Sequence, residues 1–215
     1  MHMMRACLLA LSLLCPPATV GADGSRTGQF DYYVLALSWS PNWCALTGDA
    51  RRSPQCDENS GHGWILHGLW PQNTRGYPSF CQSGKAPPNR AMTAAMADIM
   101  GTSGLAWHQW KKHGSCTGLD PADYYALSRK AYTRVVRPAI FRKLDRAVKL
   151  PAHVVEEAFV KANPGLTRAG LTITCKQRHI QEARICLTRA LEFTPCGRDV
   201  SRDCTMKDAL FTPLR

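Results

Sequence analysis

The cysteines constrain this chain more than any other feature. Ten occur in 215 residues. Two of them, Cys7 and Cys15, fall in a leading segment that reads as a secretory signal: Arg5, an apolar run from Ala6 to Cys15, then small residues ending Val20-Gly21-Ala22. That run is shorter than the roughly 20 residues needed to span a bilayer, so residues 1–22 read as a cleaved leader and not as an anchor. A lipoprotein signal ending at Cys15 is the alternative, but Leu14 is bulkier than such cleavage prefers. Cleavage before Asp23 leaves an even set of eight: Cys44, Cys56, Cys81, Cys116, Cys175, Cys186, Cys196 and Cys204. An even set in an exported chain implies four disulfides formed in an oxidising compartment, periplasmic or extracellular. A cluster of metal thiolates is the competing reading, and no pair has the close spacing of a zinc ribbon. Spacing alone does not choose among the many possible pairings.

The remaining length, residues 23–215, suits one domain with its own core, and no repeat or low-complexity linker marks a second. The full chain carries +11, and of its charged residues only Arg5 lies in the leader, which leaves +10. A strongly basic exported protein attracts polyanions, whether RNA, DNA, acidic polysaccharide or anionic membrane. Charge names a class of partner and no chemistry.

Along the chain, Phe30 to Trp39 is rich in aromatic and β-branched residues and reads as a buried strand. Thr47 to Gly63 is a loop tied by Cys56, followed by a short strand Trp64 to Leu66 that places His67 at its end. Ala91 to Met100 favours helix and stops at Gly101, and a second helix carries Leu105 to His113. Asp120-Pro121 reads as a helix start with a capping carboxylate. Tyr124, Leu127, Ala131 and Val135 then recur at helical spacing. Arg129, Lys130, Arg134 and Arg137 lie off that stripe as a solvated face, or alternatively as a distal contact to an RNA backbone. Pro138 bends or ends this helix, and Pro151 starts another that closes at Asn163-Pro164-Gly165. Thr172 to Cys175 and Ala183 to Leu191 alternate as strands. Helices and strands are grouped without regular alternation, so the class is α+β.

Two segments hold the chemistry: Trp64-Ile65-Leu66-His67-Gly68-Leu69-Trp70-Pro71 and Trp107-His108-Gln109-Trp110-Lys111-Lys112-His113-Gly114-Ser115-Cys116. Histidine, with an unperturbed pKa of roughly 6.5, can serve as acid and base near neutrality, and a lysine offers fixed positive charge to an anionic transition state. On a helix at about 100° per residue, His108, Lys112, Gln109 and His113 share one broad face. A disulfide from Cys116 would hold that face in place. The plainer reading is a helix with two half-buried histidines and a snorkelling lysine. A zinc site fits poorly, because His108 and His113 are five apart with no acid between them. His62, His153 and His179 lack such company and read as ordinary surface or capping histidines. Trp39, Trp43, Trp64, Trp107 and Trp110 read as core, whereas Trp70 is a candidate platform for a nucleobase.

The runs His67-Gly68-Leu69-Trp70-Pro71 and Trp110-Lys111-Lys112-His113-Gly114-Ser115-Cys116 resemble the two active-site signatures of the ribonuclease T2 family of secreted, disulfide-bonded endoribonucleases. The resemblance extends to the strand Tyr33 to Trp39, to Asn163-Pro164-Gly165-Leu166 and to the order of the last four cysteines. It implies a central antiparallel sheet flanked by helices. It implies that His113 takes the proton from the ribose 2′-hydroxyl, that His67 protonates the leaving 5′-oxygen, and that His108 and Lys112 hold the scissile phosphate. The products would be a 2′,3′-cyclic phosphate and then a 3′-phosphate, from single-stranded RNA, with no metal or other cofactor, no stable membrane insertion and a monomeric enzyme. The resemblance pairs Cys44 with Cys56, Cys81 with Cys116, Cys175 with Cys204 and Cys186 with Cys196. Two positions depart from the family pattern. Gln109 stands where many members carry glutamate, keeping the hydrogen bonds and losing a negative charge. Gln72 follows Pro71 where some purine-preferring members carry aspartate. Both are expected in the site, Gln109 with the catalytic set and Gln72 with Trp70 against the base. The competing readings are a catalytically weakened RNA-binding homologue, which Gln109 motivates, and a polysaccharide- or membrane-binding protein, which leaves the histidines unexplained.

Overall fold

A computed structural model describes residues 26–215, so the proposed leader at 1–22 lies outside the described residues. Six strands form one sheet: β1 (Tyr32–Trp39), β2 (Trp64–Gln72), β3 (Val148–Leu150), β4 (Leu171–Lys176), β5 (His179–Leu187) and β6 (Ala209–Phe211). The path runs β2-β1-β5-β6-β3, with β4 along the other side of β5. Every pairing is antiparallel except β5 with β6, which meet in parallel through one pair, His179 and Leu210. The sheet is therefore mixed at that junction and antiparallel elsewhere.

All eight residues of β1 are buried because both faces of the sheet are covered. Its odd-numbered residues, Tyr33, Leu35, Leu37 and Trp39, join the main apolar core with Leu66, Leu69, Ile173, Ile185 and Phe211. Trp39 stacks on Phe211 with ring centroids 4.4 Å apart. Its even-numbered residues Tyr32 and Val34 point to the opposite face, beside Cys186 and Trp70. That second face carries the candidate site.

Six helices cover the sheet: α1 (Ser40–Trp43), α2 (Arg90–Ala94), α3 (Ala97–Met100), α4 (Ser103–Lys112), α5 (Pro121–Arg134) and α6 (Ala152–Ala162). The helical stretch expected over Ala91 to Met100 is split in two, and Gly101, at φ +80°, ends it as expected. Thr102 caps α4 by accepting a hydrogen bond from the Leu105 amide at 3.1 Å. Asp120 precedes α5 without capping it through its side chain, and the carboxylate instead pairs with Lys85 at 3.1 Å. Of the cations expected off the apolar stripe, Arg129 grips Asp98 with two 2.8 Å hydrogen bonds, Arg134 lies over Phe193, and Arg137, beyond the end of the helix, lies over Tyr132. Helix α5 stops at Arg134, ahead of Pro138.

Three expectations fail for tertiary reasons. Strand β2 does not end before His67 but continues to Gln72, because β1 supplies a partner for all of it. Strand β5 starts at His179 and ends at Leu187, so it begins earlier and ends earlier than the alternation from Ala183 to Leu191 suggests. Trp107 is 43% exposed and Trp43 only half-buried, whereas Trp39, Trp64 and Trp110 are core. The four disulfides are those the resemblance implies: Cys44–Cys56, Cys81–Cys116, Cys175–Cys204 and Cys186–Cys196.

Candidate active site

The site begins with a break in strand register. Ala36 pairs with Gly68 and the next residue, Leu37, pairs with Leu66, so His67 is the extra residue of a β-bulge. Strict alternation would send Leu66 and Leu69 to opposite faces, and the bulge lets both enter the core. It also turns His67, half-buried, toward the second face. Gly68 is required there because a Cβ at that position would lie 2.1 Å from Gln109 Oε1 and 2.4 Å from Trp70 Nε1.

Helix α4 supplies the opposing groups. Its last residue is Lys112, and His113 forms the cap with φ −121° and ψ −47°. The Phe80 amide donates to the Lys112 carbonyl at 2.9 Å, and Cys81 is bonded to Cys116 in the turn that follows, so the end of the helix is fixed twice. His108, Gln109, Lys112 and His113 line one cavity of about 330 Å³ together with His67 and Trp70. A larger cleft of about 910 Å³ shares His67, His108, Glu182 and Arg184 with it and extends to Arg51 and Arg52. The shared histidines stand where the two cavities meet.

Trp70 organises the pair of imidazoles. Its indole stacks on His113 at 5.1 Å and 23°, meets the edge of His67 at 5.4 Å, and donates its N–H to Gln109 Oε1 at 2.7 Å. Its ring thus braces His113, in place of the open platform expected of it. Gln109, 1% exposed, holds Trp70 through that hydrogen bond. Gln72 is buried in the wall of the same cavity and donates to the Gly76 carbonyl at 3.1 Å. The exposed aromatic ring at this cavity is Tyr77, 53% exposed, with Lys112 Nζ 6.0 Å from its centroid.

Burial first, and then the charges of Lys112, His67 and His108, push His113 down to about 3. His113 is therefore neutral over most of the acid range, and its buried Nδ1 has no partner, which leaves Nε2 as the nitrogen facing the cavity. His108 is also lowered, by burial and then by Lys112, His67 and Lys111. His67 Nδ1 contacts Glu182 Oε1 directly. Burial pushes Glu182 up, but the hydrogen bond and charge of His67 and the charge of Arg184 outweigh it and hold the carboxyl near about 2.

The model of the Ribonuclease T2 family matches residues 30–196. The chain belongs to that family. It is an endoribonuclease of the ribonuclease T2 type. It is 33% identical to a ribonuclease of Aeromonas hydrophila over 224 residues, covering 99% of this chain and 100% of that one. It is 29% identical to ribonuclease I of Escherichia coli over 164 residues, 56% of this chain and 60% of that one. Its fold matches the self-incompatibility associated SF11-RNase of Nicotiana alata with a TM-score of 0.66 at 18% identity, covering 86% of this chain and 100% of that one.

All five residues expected to form the catalytic set of this T2 ribonuclease converge on one cavity, together with Trp70 and Gln72. His62, His153 and His179 do not line it. Among the described residues the one close group of three possible metal ligands is Cys44, Asp49 and Cys56, and its two sulfurs are joined to each other. Sequence reasoning missed Glu182, Arg184 and Tyr77. Tyr77 carried a weak signal, an aromatic residue in the loop Arg75-Gly76-Tyr77-Pro78, whereas the other two lie in a strand with no motif.

Proposed function

We propose that the protein cleaves single-stranded RNA by metal-independent transphosphorylation, giving a 2′,3′-cyclic phosphate that is then hydrolysed to a 3′-phosphate. The observation that carries this reading is the neutral His113 on one side of a junction whose centre holds His67 and His108. A neutral imidazole can accept the 2′-hydroxyl proton, and it lines the smaller cavity alone. The nucleoside on the 5′ side of the scissile phosphate belongs there, with its base toward Tyr77 and the wall holding Gln72. The leaving nucleoside occupies the larger cleft, which His67 also lines. Lys112 supplies positive charge to the phosphate oxygens as negative charge builds in the transition state, and His108 donates a hydrogen bond to them. RNA is required because the nucleophile is the 2′-hydroxyl.

In the reaction the 2′-oxygen bonds to phosphorus as His113 takes its proton, and the P–O5′ bond breaks as His67 gives a proton to the departing oxygen. The reverse roles admit water in the second step. The enzyme works as a monomeric catalytic domain of residues 23–215. It acts after export to the periplasm or the medium, which suits four disulfides and the leader read from residues 1–22. No helix among the described residues is long and apolar enough to cross a membrane. Digestion of a dinucleoside monophosphate tests the roles: His113→Ala and His67→Ala should each lose about 10²-fold or more in kcat. Full activity in either variant would remove that histidine from the chemistry.

A further inference from the structure

Glu182 is a carboxylate that the catalytic set does not include. It is 4% exposed and lies on β5 next to a second bulge, where Thr174 pairs with Glu182 and Cys175 with Ile180, leaving Gln181 unpaired. The bulge places Ile180 in the core and turns Glu182 to the face that carries His67. One carboxylate oxygen contacts His67 Nδ1, and the other accepts from Arg184 Nε at 2.9 Å and Arg184 Nη2 at 2.7 Å. Both oxygens are thus engaged and the carboxylate is held rigidly.

We infer that Glu182 is the positioning residue of the general acid, holding His67 with Nδ1–H bound and Nε2–H presented to the leaving oxygen. A buried carboxylate hydrogen-bonded to one imidazole nitrogen fixes the tautomer and the ring orientation. The groups facing His67 from other elements are His108, Lys112 and His113 around α4 and Trp70 on its own strand, with Arg184 beside Glu182 on β5. Those groups are cationic or neutral, so Glu182 is the anion in contact with His67. Asp199 also lines the smaller cavity, but its carboxylate accepts from the Gly76 amide. In the acid step the Nε2–H bond breaks, the O5′–H bond forms as P–O5′ breaks, and the neutral imidazole keeps its Nδ1–H on Glu182. With Gln109 uncharged, the carboxylate in contact with the acid comes from β5.

This inference rests on the proposed role of His67, and two substrates separate the two claims. A dinucleoside monophosphate has a ribose 5′-oxygen leaving group that needs a proton, whereas a nucleoside 3′-(4-nitrophenyl) phosphate releases a phenolate that does not. Glu182→Gln should lower kcat on the dinucleotide about 10²-fold while changing the nitrophenyl ester by less than about threefold. Should Glu182→Gln fail to fold because Arg184 is left unpaired, the double variant Glu182→Gln, Arg184→Gln removes both charges and must show the same substrate selectivity. Equal losses on both substrates would leave Glu182 a structural role only and overturn the inference. His67→Ala, run alongside, should show the same selectivity in stronger form. If it does not, the acid assignment itself fails.

Discussion

Replacing Gly68 by alanine tests the joint between the bulge and the catalytic helix. The added Cβ would sit 2.1 Å from Gln109 Oε1 and 2.4 Å from Trp70 Nε1, the two ends of a single 2.7 Å hydrogen bond. Ordinary contact needs roughly 3.5 Å, so these atoms must retreat by about 1 Å and that hydrogen bond breaks. The lost bond costs about 1 kcal/mol and the strain of overpacking about 1–3 kcal/mol, so unfolding stability should fall by roughly 2–4 kcal/mol. Activity should fall further than stability predicts. Trp70 carries the stack on His113 and the edge contact to His67, so moving it by about 1 Å misaligns acid and base together, a displacement worth on the order of 10²-fold. Urea denaturation gives the first quantity, and kcat/KM on a dinucleotide at a temperature where the variant is fully folded gives the second. A folded Gly68→Ala enzyme with parental kcat/KM would refute the reasoning, because it would show that Trp70 and Gln109 do not set the geometry of the site.

The paired replacement Cys81→Ser, Cys116→Ser opens a link between residues 35 apart in sequence, worth about 4 kcal/mol in the chain-entropy model, and frees the end of α4. Denaturation midpoints should fall and activity should drop in the molecules that remain folded. Burial and the neighbouring Asp203 push Glu156 up to about 7, above its ordinary value near 4.5. The folded state therefore keeps a proton that the unfolded state releases, so this group is harmless below pH 4.5 and costs stability as pH rises through 7. Relative to Glu156→Gln, the parent should lose on the order of 3 kcal/mol between those limits, read as a difference in thermal midpoints. Because His113 stays neutral until the pH approaches about 3, kcat/KM should persist far below the usual histidine range, with its acid limb near that value in a pH–rate profile.

Local rules make much of this legible in the sequence. Gly101 marks a helix end through its backbone freedom, whereas the Thr102 cap starts α4 at Ser103, two residues ahead of the Leu105 that the sequence suggests. The face shared by His108, Gln109, Lys112 and His113 follows from helical geometry and survives in the fold, although His113 is a cap. The disulfide pairing comes through the family resemblance, since spacing cannot choose it. What stays hidden depends on partners distant in the chain. Whether β2 stops or continues at Gly68 is decided by β1, and a one-residue slip in pairing leaves no local trace. Strands β3 and β6, three residues each, pair with one another across some 60 residues and carry no periodic signal. Glu182 meets His67 from 115 residues away. Trp107 reads as core from its bulk, and bulk alone does not say which side of a short helix faces solvent.

The central claim concerns which bonds form and break at phosphorus, and phosphorus NMR of a dinucleoside monophosphate digested in excess chelator observes them most directly. The predicted record is a 2′,3′-cyclic phosphate resonance that rises first and then gives way to a 3′-monophosphate. Products ending in 5′-phosphate, or cleavage that stops in the chelator and returns with added metal, would contradict the roles of His113 as base and His67 as acid.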